Sequence, residues 1–262
     1  MNLEITVLGS GSSGNAVLVS LGSYGILIDA GFSKKELLKR LDSCGIDPSI
    51  IKALLITHEH NDHISGARVI ADSLDIPMFA NHSTFRAMDT GKEKKTGKKK
   101  IVFGTGDTFK LESFTIRSFR VSHDSIEPVG FVINAKNTTI GYAMDLGYMD
   151  NITKSRMKGC NVAILESNHD VGMLMNSTRP PYLKHRIKSR QGHLSNEQAM
   201  DALHELITRD TKVVMLGHLS NECNKHSIVN DLASKKLKHL GRTDIKFCLM
   251  EQEVPLTPII IG

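Results

Sequence analysis

The stretch THEHNDH crowds His58, His60, Asp62 and His63 into one short segment, directly after the apolar run IKALLI. Imidazoles this close repel one another once protonated. A divalent cation bound by their neutral forms removes the conflict. A strand end aims such side chains into the crevice beyond a sheet, where α/β proteins carry their sites. The segment therefore reads as a cluster of metal ligands. Other polar residues also close apolar runs: His123 after FTIRSFRVS, Asp145 after TTIGYAM, Glu166 after NVAIL and His218 after VVMLG.

The string GHLSNE occurs twice, at 192–197 and 217–222. In the second copy His218 ends a strand. In the first, His193 stands just before a helix whose cap is Ser195. The settings differ, so the recurrence is not a structural repeat, and the shared Ser-Asn-Glu is ordinary turn chemistry. Glu166 and His193 together form a candidate acid pair, since a carboxylate beside an imidazole raises its pKa and fixes its tautomer.

Strands and helices alternate along the chain to position these groups. GILIDAG is a buried strand ending in Asp29. SKKELLKRLDSCG is a helix with a capping box from Ser33 to Glu36 and a terminal Gly45. IKALLITH is a strand, residues 64–74 a helix and IPMFAN a strand. KIVF, TFKLES, FTIRSFRVSH, VGFVINA, TTIGYAMD and NVAILES read as strands. SNEQAMDALHELI is a helix in which Gln198 closes a box with Ser195. TKVVMLGH, HSIVNDLASKKL and IKFCLMEQ follow as strand, helix and strand. No long linker interrupts them. The expectation is one domain over residues 1–262, an α/β fold of two sheets packed face to face with helices outside.

Composition bounds the rest. With 40% hydrophobic and 23% charged residues the chain can build an ordinary core, which excludes wholesale disorder. Four dispersed cysteines without a CxxC argue against a disulfide framework and fit a reducing compartment. MNLEITVLGS has no basic n-region and no apolar h-region, and no stretch reaches transmembrane length. A cytoplasmic location without a membrane partner is expected. The net charge of +5 permits a polyanionic partner.

HxHxDH, followed by His123, Asp145 and His218 at strand ends and preceded by Asp29, resembles the metallo-β-lactamase superfamily over nearly the whole chain. The resemblance implies an αββα sandwich of two mixed β-sheets flanked by helices, with a binuclear centre at the sheet edge. Carried over, His58, His60 and His123 hold one ion, Asp62, His63 and His218 the other, and Asp145 bridges them. Asp29 braces the site. Two divalent metal ions per chain follow, and zinc or manganese both suit such ligands. The implied nucleophile is a metal-bridging hydroxide, its pKa lowered toward roughly 7 at zinc, with Asp62 orienting it. Antibiotic-cleaving zinc members often carry cysteine in place of Asp145, which points away from that activity. LESN at 165–168 and GHLSNEQA at 192–199 resemble motifs of the RNA-cutting members, which implies that His193, backed by Glu166, protonates the leaving group.

SGSSGNA, THEHNDH, ESNHD and the two GHLSNE copies are closer still to the YycJ/WalJ branch of bacterial exonucleases. These are described as cytoplasmic enzymes acting 5′ to 3′ on DNA, so a nucleic acid substrate is implied, DNA favoured and RNA possible. The span from Asp145 to His218 is too short for the large insert of the bigger nucleases. STRPPYLKHRIKSRQG at 177–192 brings Arg179, Lys184, Arg186, Lys188 and Arg190 up to His193, where cations would hold phosphates. Ser220, Asn221 and Asn224 are candidate hydrogen-bond donors to a phosphate. The lysine run KEKKTGKKK at 92–100 reads as a solvated loop. GSGSSGN lacks a P-loop lysine and reads as a tight strand connection near the site. His169 either touches substrate or caps a turn; His82, His204, His226 and His239 read as structural or exposed. The alternatives are a small-molecule cyclic phosphodiesterase, a thioester hydrolase of the glyoxalase II type and a non-catalytic binding protein.

Overall fold

The computed structural model describes residues 2–89 and 99–261, and most of the KEKKTGKKK run lies outside the described residues. The chain forms two compact units. One comprises residues 1–107, 125–128 and 251–262; the other comprises residues 108–124 and 129–250.

The first unit is built on a mixed sheet of β1 (Leu3–Gly9), β2 (Ala16–Leu21), β3 (Tyr24–Ile28), β4 (Ile51–Leu55), β5 (Met78–Ala80) and β6 (Lys100–Val102), in that spatial order. A last strand, Ile259–Ile261, pairs antiparallel with β1. β1 to β3 are antiparallel, and β3 to β6 run parallel. The run VLGS…AVLVSL is buried on both faces, so it reads apolar throughout rather than alternating. Helices α1 (Lys34–Ser43), α2 (Asn61–Ile64), α3 (Ala67–Leu74) and α4 (His82–Met88) accompany it. Leu37, Leu41, Ile70, Ala71 and Phe85 pack with Leu8, Leu18, Leu27 and Leu54 in one core. The Ser33 hydroxyl accepts from Glu36 N–H, but Glu36 turns its carboxylate to Arg40 at 2.7 Å, so only half of the expected box forms. Gly45 has φ 67°, the left-handed stop the sequence signalled.

The second unit carries β7 (Thr108–Leu111), β8 (Phe114–Arg120), β9 (Val129–Ala135), β10 (Thr138–Ala143), β11 (Val162–Glu166), β12 (Val213–Gly217) and β13 (Lys246–Leu249). β7 to β10 are antiparallel, while β10 to β13 are parallel. Its helices are α5 (Asn151–Met157), α6 (Val171–Asn176), α7 (Pro181–Lys188), α8 (Asn196–Leu206) and α9 (His226–His239). Ala199, Leu203 and Leu206 of α8 and Val229, Ala233 and Leu237 of α9 pack on Ala163, Leu165, Val214 and Leu216. Ser195 and Gln198 form the full capping box that the sequence indicated.

The fold class is as expected, two mixed sheets flanked by helices. The helix read at 64–74 begins instead with α2 inside the histidine cluster, and α3 starts at Ala67. α7 was hidden within a stretch notable only for its charge; Pro181 occupies its first turn, where a missing N–H costs nothing. All four cysteines are free thiols. Among the described residues no helix is long and apolar enough to cross a membrane.

Candidate metal-binding and acid–base sites

In the first unit, parallel pairing sets Asp29 and Thr57 just past the aligned ends of β3 and β4, where Ile28 lies opposite Leu55. Asp29 is fully buried with φ 59°, a left-handed backbone that a non-glycine residue seldom adopts. Its carboxylate accepts from Thr57 N–H and Thr57 Oγ1, both at 2.8 Å, and from His63 Nδ1 at 2.7 Å. Because the Thr57 hydroxyl proton goes to Asp29, His58 Nδ1, 2.9 Å from that oxygen, must be the donor there. Both imidazoles are thereby fixed as Nδ1–H tautomers with the lone pair on Nε2, the form that binds a metal. The His58 ring lies 4.7 Å from that of His60 and 4.1 Å from that of His63.

Asn15, which the sequence left inside a glycine-rich connection, holds this loop. Its N–H donates to Asp62 O at 2.8 Å, and its amide nitrogen lies 3.1 Å from His63 Nε2 and 3.4 Å from Asp62 Oδ2. Gly31 makes the approach possible: a Cβ there would sit 1.8 Å from Asp62 O.

The second unit gathers the other expected residues. Ala143, Leu165 and Leu216 stand in register across the parallel β10, β11 and β12, so Asp145, Glu166 and His218 emerge at one sheet edge. Asp145 and His218 have φ values of 52° and 56°, again left-handed. One ligand atom each from Asp145, Glu166, His193 and His218 lies within 4.8 Å of the others. His123 Nδ1 donates to Gly192 O at 3.1 Å, and its Nε2 is 4.0 Å from Asp145 Oδ2. Its ring lies 5.1 Å from that of His193.

Glu166 organises this cluster. It is fully buried, and Oε1 accepts from His193 Nδ1 and His218 Nδ1, each at 2.7 Å. Oε2 accepts from the N–H groups of Leu146 and Leu194 at 3.0 and 3.1 Å. Burial pushes the carboxyl up, but the charges and hydrogen bonds of the two imidazoles outweigh it and hold it at about 2. Burial likewise pushes His193 down, and the Glu166 charge and hydrogen bond, with Asp145, raise it above the ordinary value. Five histidines thus face a protein oxygen through Nδ1: His58, His63, His123, His193 and His218. With Nδ1 so engaged, the lone pair of each neutral ring lies on Nε2, and the donor set of imidazoles and carboxylates fits divalent metal.

Two glycines show why the GHLSNE copies differ. Gly192 packs where a Cβ would lie 2.2 Å from the carbonyls of Arg186 and Ile187, while Gly217 is the last residue of β12. His193 is held by Asn168 N–H on Leu194 O at 2.9 Å and Asn196 N–H on His169 O at 2.8 Å.

The basic stretch is mostly engaged within the unit. Arg179 pairs with Glu222 at 2.9 Å and Arg186 with Asp124 at 2.5 Å; Lys184 donates to the carbonyls of Met175 and Ser177, and Arg190 stacks on Tyr148. Lys188 is exposed, with Met175 Sδ 3.8 Å away. The Ser220 hydroxyl accepts from Cys223 N–H, and Asn221 is exposed. Asn224 is corrected: its amide nitrogen donates to Ser167 O, Asn168 O and Asn196 Oδ1, so it is structural.

A family model described as the beta-lactamase superfamily domain matches residues 24–219. The chain is 35% identical to an exodeoxyribonuclease YycJ of Bacillus anthracis, covering 92% of this chain and 91% of that protein. It is 34% identical to an exodeoxyribonuclease WalJ of Streptococcus pneumoniae, covering 90% and 91%. In fold it is similar to the metallo-beta-lactamase fold protein YhfI of Bacillus subtilis, with a TM-score of 0.74 at 18% identity over 98% of this chain and 100% of that one.

Proposed function

The chain belongs to the metallo-β-lactamase superfamily of hydrolases, and on that footing we propose that it is a metal-dependent exonuclease that degrades DNA from the 5′ end. The observation that carries this reading is Glu166, a buried carboxylate shared by the imidazoles of His193 and His218. Our ligand assignment is His58, His60 and His123 for one cation, Asp62, His63 and His218 for a second, and Asp145 for both. The two compact units then act as halves of one domain spanning 1–262. Bound zinc or manganese ions supply Lewis acidity that acidifies water and offsets charge on phosphoryl oxygens.

The protein's own groups do the remainder. His193, charged by virtue of Glu166, holds a proton on Nε2 for the departing sugar oxygen, a step worth about 10²–10⁴-fold. Asp62 orients the attacking water. Lys188 and Arg186 hold phosphates, with Ser220 and Asn221 donating hydrogen bonds. Such a paired acid favours an alkoxide leaving group. A thioester hydrolase has no need of it, because a thiolate departs unaided. A small cyclic phosphodiesterase shares the chemistry and is separated by substrate alone. A cytoplasmic location fits this reading and the four dispersed cysteines.

Purified protein loaded with zinc or manganese is expected to shorten 5′-labelled DNA and to hydrolyse bis-p-nitrophenyl phosphate. Hydrolysis of a cyclic nucleotide or of a glutathione thioester, with labelled DNA and RNA both intact, would replace this reading with one of the two alternatives.

A further inference from the structure

Beside the Glu166–His193 pair lies a pocket of about 460 Å³ lined by His169, Val171, Lys188, Ser195, Glu197 and Gln198, within the roughly 300–1,000 Å³ of small-molecule sites. Its wall is the same backbone that positions His193, since His169 bridges Ser195 in parallel fashion. His169 is 1% exposed, and its Nδ1 has no hydrogen-bond partner among the described residues. A buried ring nitrogen without a partner is costly to desolvate, so such a group points to a ligand that completes it. A positive charge is supplied by Lys188, whose ammonium meets a thioether where Lys184 meets carbonyls and Arg186 a carboxylate. Gln198 spends Oε1 on Ser195 N–H, which leaves its NH₂ as a donor. Glu197 adds an exposed acceptor and Val171 an aliphatic surface.

We propose that this pocket seats one nucleotide unit of the substrate, the one next to the scissile phosphate. Its phosphate lies on Lys188, its base lies against Val171, and a polar edge of the base meets His169 Nδ1. Glu197 accepts from an exocyclic amine or a sugar hydroxyl. A free phosphate satisfies Lys188 alone, and a sugar phosphate leaves Val171 and His169 unmet, so the set of groups selects a nucleotide. A unit held in this way fixes the register of the strand against His193 and sets the size of the product at each cut. The proposal rests on the nuclease reading, and it names His169, Val171, Glu197 and Gln198 as its specificity-determining residues.

The test is titration of the metal-free full chain with thymidine 5′-monophosphate, followed by ¹H–¹⁵N spectra of the histidine side chains. Binding is expected to move the His169 resonances and to weaken about tenfold in His169→Phe and in Lys188→Gln, with inorganic phosphate binding more weakly than the nucleotide. Lys188 is exposed, so its substitution serves if His169→Phe fails to fold. Unmoved His169 resonances, or equal affinity for phosphate and nucleotide, would overturn the pocket assignment. Shortening of 5′-labelled DNA by the metal-loaded wild type, measured alongside, tests the nuclease reading separately and fails if that reading itself is wrong.

Discussion

At the scale of single residues, function turns on which nitrogen of each imidazole faces the protein. Thr57, Asp29, Gly192 O and Glu166 together claim Nδ1 of His58, His63, His123, His193 and His218. His193 is set apart from the others by its 23% side-chain exposure, which opens it to a substrate. Replacing it removes a proton donor and leaves the expected metal ligands in place. His193→Ala is therefore predicted to lower kcat on DNA about 10²–10⁴-fold with metal content unchanged. The reading is a single-turnover rate beside elemental analysis, and loss of bound metal in this variant would assign the residue to coordination instead. The histidines and the Glu166–His193 contact were legible in the sequence, and Asp29 was legible through the family resemblance. Asn15 was not legible, because a contact between a glycine-rich connection and His63 leaves no periodicity or spacing to read.

At the scale of elements, the organising device is the parallel strand whose end delivers a polar side chain. This was legible wherever an apolar run stopped at His, Asp or Glu, and the register of β10, β11 and β12 explains why those ends coincide. The helices α6 and α7 were not legible. Their residues are short, mixed stretches, and the charges of 177–192 drew attention to substrate. Most of those charges also tie the segment to its surroundings, as Arg186 does with Asp124. The turn from α7 to His193 depends on Gly192, where a side chain would collide with the carbonyls of Arg186 and Ile187. Gly192→Ala is predicted to destabilise the protein by about 1–3 kcal/mol through overpacking against backbone. It should also lower activity more than Ser195→Ala, whose cost is a cap worth about 1 kcal/mol. Urea denaturation midpoints and DNA turnover check both, and a Gly192→Ala protein of wild-type stability and rate would contradict the account of this turn.

At the scale of the whole molecule, each compact unit carries its own His/Asp cluster on its own mixed sheet, and the ligand assignment proposed above draws on both clusters. Neither cluster contains the full complement of seven expected ligands, so the claim that they act together is the one on which the function depends. It is tested by inductively coupled plasma mass spectrometry of protein loaded with zinc or manganese and freed of excess ion, for the wild type, His58→Ala and His218→Ala. The account predicts about two ions per wild-type chain, about one in each variant, and loss of DNA hydrolysis in both variants. A wild-type chain that binds no ion, or variants that keep two ions and full activity, would contradict it.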